Sequence, residues 1–167
     1  MKMIRFRLAE NIDFSEILAL YKSGVASMRA AGIEQWDENY PNESIIREDI
    51  RNSHLYVAVL DSRIAAAFAL NKNIDEEYKT AAWNNPEADY IAMHRLCVNP
   101  EFHRRGIGTA CMAEIERIAK SQGHNSVWLD TFSGNPKALS MYEKIGFHQV
   151  GEAFWEKGRF IIFEKNL

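Results

Sequence analysis

The sequence predicts an α/β protein of mixed α+β type. It should form one domain on a central mixed, mostly antiparallel sheet of about seven strands with helices on both faces. Three observations carry this. Short apolar runs with strand character recur along the whole chain. Helical periodicities between some of them make strand–helix–strand units. Other runs are separated by only a few turn-forming residues, which makes hairpins. The 167 residues, 47% of them hydrophobic, suit a single core, and residues 1–167 show no repeat, low-complexity segment or linker.

Over residues 3–8, Ile4, Phe6 and Leu8 alternate with Arg5 and Arg7, the period of a half-buried strand. Asn11 or Asp13 can cap a helix over 12–30, with Phe14, Ile17, Leu18, Tyr21, Val25 and Met28 along one stripe. Residues 31–42 mix acids, aromatics, Gly and Pro without a period and read as a loop; 43–52 read as a second helix. Leu55–Leu60 and Ile64–Leu70, joined by Asp61-Ser62-Arg63, form a hairpin pattern. The polar stretch 71–88, with Asn84-Asn85-Pro86 as a turn signal, reads as a mobile loop holding a short helix near Glu76. Tyr90–Val98 is the next strand. Gly106–Gln122 is helical, striped by Ile107, Cys111, Ile115 and Ile118 and closed by Gly123. After a strand at 126–131, Asn135 and Pro136 open a helix lined by Ala138, Leu139, Tyr142 and Ile145, which Gly146 ends. Lys157-Gly158 turns between final strands at 147–156 and 159–165.

The formal net charge of -3 gives no basic excess for nucleic acid, and no apolar run approaches the ~20 residues that span a bilayer. Met1-Lys2-Met3-Ile4-Arg5 lacks an apolar signal core, so a soluble, cytoplasmic protein is expected. Cys97 and Cys111 are too few for a disulfide framework and read as buried reduced thiols. The five histidines show no metal-site spacing, and no metal is expected.

The stretch Asn99-Pro100-Glu101-Phe102-His103-Arg104-Arg105-Gly106-Ile107-Gly108-Thr109 joins a strand to a helix behind basic side chains, a way to aim N–H groups and positive charge at phosphate. No Lys follows the glycines, which removes a P-loop. A dinucleotide fingerprint lacks its third small residue, although Asp130 stands where a ribose-binding acid would. Leu96 to Gly108 instead resembles the acetyl-CoA signature of the GNAT superfamily of N-acetyltransferases, with His103 where Gln or Arg is usual. Val127 to Thr131 and then Asn135 to Phe147 resemble that family's second block. The two blocks cover about 89–122 and 126–150.

The resemblance implies acetyl-CoA as cosubstrate and direct attack of an amine on its thioester. Cofactor contacts fall on Leu96, Cys97, Val98, His103, Arg104, Arg105, Gly106, Ile107, Gly108, Thr109, Asn135, Ala138 and Tyr142. Tyr142 is implied as general acid. The strands at 90–98 and 126–131 are implied to splay, with the end of the first pairing with the pantetheine arm. For a base, His94 shares the parity of Leu96 and Val98 and titrates in the useful range; Glu34, Asp37, Glu38 and Asp89 are the other candidates, and no essential base is a further option. Glu34, Trp36, Asp37, Glu38 and Tyr40 form a candidate acidic, aromatic wall for a cationic small-molecule amine or a peptide N-terminus. A non-catalytic acyl-CoA-binding module on the same fold is the alternative. Monomer and homodimer both stay open.

Overall fold

The structure, a computed structural model, describes residues 3–167; Met1 and Lys2, the start of the stretch read for a targeting signal, lie outside the described residues. The elements are β1 (Arg5–Leu8), α1 (Phe14–Ala30), α2 (Glu43–Arg51), β2 (Leu55–Leu60), β3 (Arg63–Asn71), β4 (Tyr90–Val98), α3 (Ile107–Ser121), β5 (Ser126–Phe132), α4 (Pro136–Lys144), β6 (His148–Trp155) and β7 (Gly158–Asn166). Seven strands form one sheet in the order β1-β2-β3-β4-β5-β7-β6. The β1–β2, β2–β3, β5–β7 and β6–β7 pairs are antiparallel, and β4–β5 is parallel. This is the expected α/β architecture. Within it the chain forms two compact units, one of residues up to Leu70 with Arg95–Glu114, the other of Asn71–His94 with Ile115–Leu167.

The first unit packs Ile17, Leu20 and Tyr21 of α1 and Ile46 and Ile50 of α2 against Leu55, Val57, Ala67, Ala69 and Cys97. Burying each such aliphatic side chain contributes roughly 1.5–3 kcal/mol. The inner face of α1 differs from the expected stripe: Leu20 and Gly24 are buried, while Val25 and Met28 are half-buried. The cause is contact with β4, since a Cβ on Gly24 would stand 2.4 Å from Cys97 Sγ. Nor does Asp13 cap α1 through its side chain. Its carboxylate is taken by Arg7, at 2.7 and 2.9 Å, and by the Glu10 N–H at 2.8 Å. The β2–β3 turn has two residues rather than three; Asp61 and Ser62 both hold positive φ, 53° and 63°, the handedness that matches strand twist.

In the second unit the parallel register of β4 with β5 runs from Tyr90↔Ser126 to Ala92↔Trp128, although β4 continues to Val98 and β5 to Phe132. Segment 72–88 packs on this unit through aromatic side chains. Its 3₁₀ turn, Glu76–Thr80, buries Tyr78. Trp83, Trp128 and Tyr90 stack in one column, with centroids 3.7 and 3.8 Å apart. The Ala82 N–H reaches the Val150 carbonyl at 2.7 Å, and the Asn84 N–H reaches buried Glu164 at 2.8 Å. Aromatics without a period carry no signature of this packing in sequence, which is why the segment reads there as a polar, mobile loop. Phe160, Ile161 and Ile162 of β7 are buried, and Phe154 of β6 is exposed. Among the described residues no helix is long and apolar enough to cross a membrane.

Candidate functional site

In the first unit, residues 99–109 form a braced turn ahead of α3. The Asn99 N–H binds the Ala65 carbonyl at 2.8 Å, and the Asn99 side chain accepts from the Glu101 N–H at 3.0 Å. Phe102 is buried and anchors the turn, with the Arg105 guanidinium 5.2 Å above its ring. His103 Nε2 lies 3.3 Å from the Val98 carbonyl oxygen, so this ring helps close the loop back on β4. Arg104 and Gly106 hold positive φ, 64° and 72°, and a Cβ on Gly106 would meet nothing within 4 Å. Glycine takes that backbone angle without the strain a side chain would add, and the space beside it is open.

Helix α3 starts at Ile107, whose side chain is buried, so Ile107 can offer a ligand only its backbone. Helical bonding opens with the Ala110 N–H on the Gly106 carbonyl at 3.0 Å. The N–H groups of Ile107, Gly108 and Thr109 precede it in the first turn and have no acceptor inside the helix. With the positive end of the helix dipole and exposed Arg104 and Arg105, they make a surface suited to phosphate oxygens. Cys97 is buried against α1 and offers its backbone alone. Burial pushes its thiol, and that of Cys111, up to about 12.

One residue that sequence reasoning missed stands in the middle of β4. Arg95 has φ 56°, left-handed for a non-glycine in a strand. Its guanidinium binds Asp49 of α2 at 2.6 and 3.0 Å and donates to the Tyr40 hydroxyl at 3.1 Å, while the Tyr21 hydroxyl donates to its carbonyl at 2.8 Å. Burial pushes the Asp49 carboxyl up, and Arg95 pulls it back. The left-handed residue also breaks the alternation that placed His94 with Leu96 and Val98. That parity argument needs an unbroken extended backbone, and β4 does not supply one.

The expected acceptor residues have separate local roles. Trp36 packs edge-on to Tyr21, with centroids 5.8 Å apart, against the core of the first unit. Tyr40 is held by Arg95. Glu38 is exposed and paired with Arg29 at 3.0 Å, and Glu34 is exposed. Asp37 accepts from the Asn39 N–H at 2.8 Å.

In the second unit, Tyr142 is buried with its ring 5.9 Å from both Phe147 and Phe163. The Asn135 side chain caps α4 by accepting from the Ala138 N–H at 3.2 Å. His94 Nε2 lies 2.9 Å from Asn71 Oδ1. Hydrogen bonds from Lys72 and His124 hold Asp89 below the usual carboxylate range, which makes it a weaker base. Asp130 is its opposite. Half-buried on β5, it accepts from the Tyr78 hydroxyl at 2.6 Å. Burial pushes it up to about 6, Tyr78 pulls it down, and the charge of Asp75 pushes it up again. In the sequence Asp130 is only an acid at a strand end; Tyr78, 52 positions away, gives it this setting.

A family model described as the acetyltransferase (GNAT) family matches residues 17–147. The ribosomal protein bS18-alanine N-acetyltransferase of Escherichia coli is 26% identical over 83 residues, which are 48% of this chain and 56% of that protein. The chain thus spans about half the length of the first curated relatives it matches. Among solved structures, a GNAT-family acetyltransferase from Streptococcus agalactiae superposes with TM-score 0.86 at 22% identity, covering 98% of this chain and 95% of that one. PaiA N-acetyltransferase from Thermoplasma acidophilum, solved in complex with coenzyme A, superposes with TM-score 0.71 at 21% identity, covering 99% of each. These two likenesses concern the fold.

Proposed function

The chain belongs to the acetyltransferase (GNAT) family, and from that premise we propose that it moves an acetyl group from acetyl-CoA to a primary amine of a small molecule or a peptide N-terminus. The observation that carries the reading is the turn at 99–109, whose first-turn N–H groups and Arg104 and Arg105 fit the diphosphate and 3′-phosphate of coenzyme A. The coenzyme A bound in the PaiA structure supports the same ligand. Acetyl-CoA supplies an acyl thioester open to attack by an amine. The backbone of Leu96, Cys97 and Val98 is the proposed positioning strand. The Tyr142 hydroxyl is the proposed proton donor to the leaving thiolate. A phenol near pKa 10 and a thiol near 8.5 make that transfer uphill in water, so positioning has to supply the difference. Two buried thiols raised to about 12 hold almost no thiolate at neutral pH, which supports direct attack over an acyl-cysteine route.

Mixing the protein with acetyl-CoA and a panel of polyamines, aminoglycosides, amino acids and peptides, while following free thiol, tests the proposal. One thiol should appear per acetylated amine. Thermal stabilisation by acetyl-CoA with no turnover on any amine would replace the transferase with a binding module. Stabilisation by NAD and not by coenzyme A would remove both.

A further inference from the structure

Asp130 occupies a position that its neighbours make specific. Along β5, Ser126, Trp128, Asp130 and Phe132 share one face. Trp128 stacks on Tyr90, so Tyr90, Ala92 and Trp128 also lie on that face. Ala92↔Trp128 closes the parallel register, and Asp130 is the first residue of this face beyond it. The same count along β4 brings His94. Opposite Asp130 on β7 is Ile162, which is apolar. Segment 72–88 contributes Tyr78, which donates to the carboxylate at 2.6 Å, and Asp75, which acts on it through charge. Further along, Phe132 lies 5.4 Å from Phe160, and Trp155 lies 4.8 Å from the same ring. Phe132 and Trp155 are half-exposed.

We infer that Asp130, oriented by Tyr78 and followed on the same face by Phe132, receives a primary ammonium group borne on an aromatic or branched apolar body and takes up its proton. The inference rests on the acyltransferase reading and names the acceptor class for it. A carboxylate that feels a second acid favours a cation, and the half-exposed Phe132 ring on the same face favours a flat apolar body over a polyhydroxylated one. The transfer is balanced: R–NH₃⁺ and the Asp130 carboxylate become R–NH₂ and the carboxylic acid, which returns its proton to solvent. A carboxyl raised to about 6 is a better acceptor for that proton than an ordinary carboxylate.

The test measures equilibrium binding of phenethylamine, with no acetyl-CoA present, by the fluorescence of the protein's own tryptophans. Spermidine is the comparison ligand. Wild-type affinity should fall about tenfold between pH 8 and pH 5 as Asp130 takes up its own proton. Asp130→Asn should bind phenethylamine at least about tenfold more weakly at pH 8 and lose the pH dependence. Tyr78→Phe removes the hydrogen bond that lowers the carboxyl pKa, so its binding curve should move to higher pH. That displacement is a readout a merely structural pair would not produce. Wild-type binding that is absent or independent of pH, an Asp130→Asn affinity within twofold of wild type, an unmoved Tyr78→Phe curve, or a preference for spermidine would each overturn the inference. Should phenethylamine bind through Asp130 while acetyl-CoA is never consumed, the acyltransferase reading fails and the amine site stands.

Discussion

At residues 99–109 the groups offered to a ligand are mostly backbone N–H donors, placed by one glycine at φ 72° and the start of a helix. On β5 the chemistry rests on one carboxylate and a tyrosine hydroxyl 2.6 Å away from a distant part of the chain. A backbone site asks little of side-chain identity, so the proposed phosphate turn is compatible with His103 standing where the family's usual residue differs. A side-chain site depends on the packing that removes water from it. The first can be kept while the second changes, which is a physical route by which one cosubstrate serves many acceptors.

That contrast can be broken experimentally. If the proton donor and the phosphate-binding turn are separable, Tyr142→Phe should lower turnover by about 10²-fold or more, with the dissociation constant for acetyl-CoA unchanged within twofold. Equal losses in both would show that the two regions act as one. Asp49→Ala leaves Arg95 without its buried partner and should cost roughly 3 kcal/mol in denaturant unfolding; a loss below about 1 kcal/mol would mean that the left-handed residue in β4 needs no such brace. Gly106→Ala meets no neighbour, so only the backbone angle penalises it. About 1–2 kcal/mol of strain is expected, seen chiefly as acetyl-CoA affinity weakened about tenfold. Unchanged affinity would refute the backbone account of the turn.

The smallest effect belongs to Asp13. Arg7 holds its carboxyl below the ordinary value. Asp13 therefore stabilises the fold above the unfolded carboxylate value near pH 4, and this contribution is lost as pH falls from there through the folded value. With Arg7 partly exposed, about 1 kcal/mol is expected. Asp13→Asn should lower stability at pH 7 by that amount and flatten the acid side of the stability curve; an unchanged acid limb would show that the pair contributes nothing.

Much of the fold was legible because its signals are local. Gly123 and Gly146 stand at left-handed helix ends, Asn135 caps the helix that Pro136 opens, and Tyr90–Val98 is a strand over the expected residues. The glycine turn was legible for the same reason, since a backbone angle is a property of one residue and its neighbours. Gly24 was not, because its burial comes from Cys97 on another element. Nor were the brace between Arg95 and Asp49, 46 positions apart, or the pairing of Tyr78 with Asp130.

The sequence by itself determined the order of elements, the turn suited to phosphate and the family. Each of these depends on periods, caps and glycine angles that act over a few residues. Tertiary structure alone decided which carboxylates are held low by cations, as Asp89 is by Lys72 and His124, and which are raised by burial, as Asp49 and Asp130 are. A proton's affinity depends on every charge and every water displaced around it, and only packing brings those together.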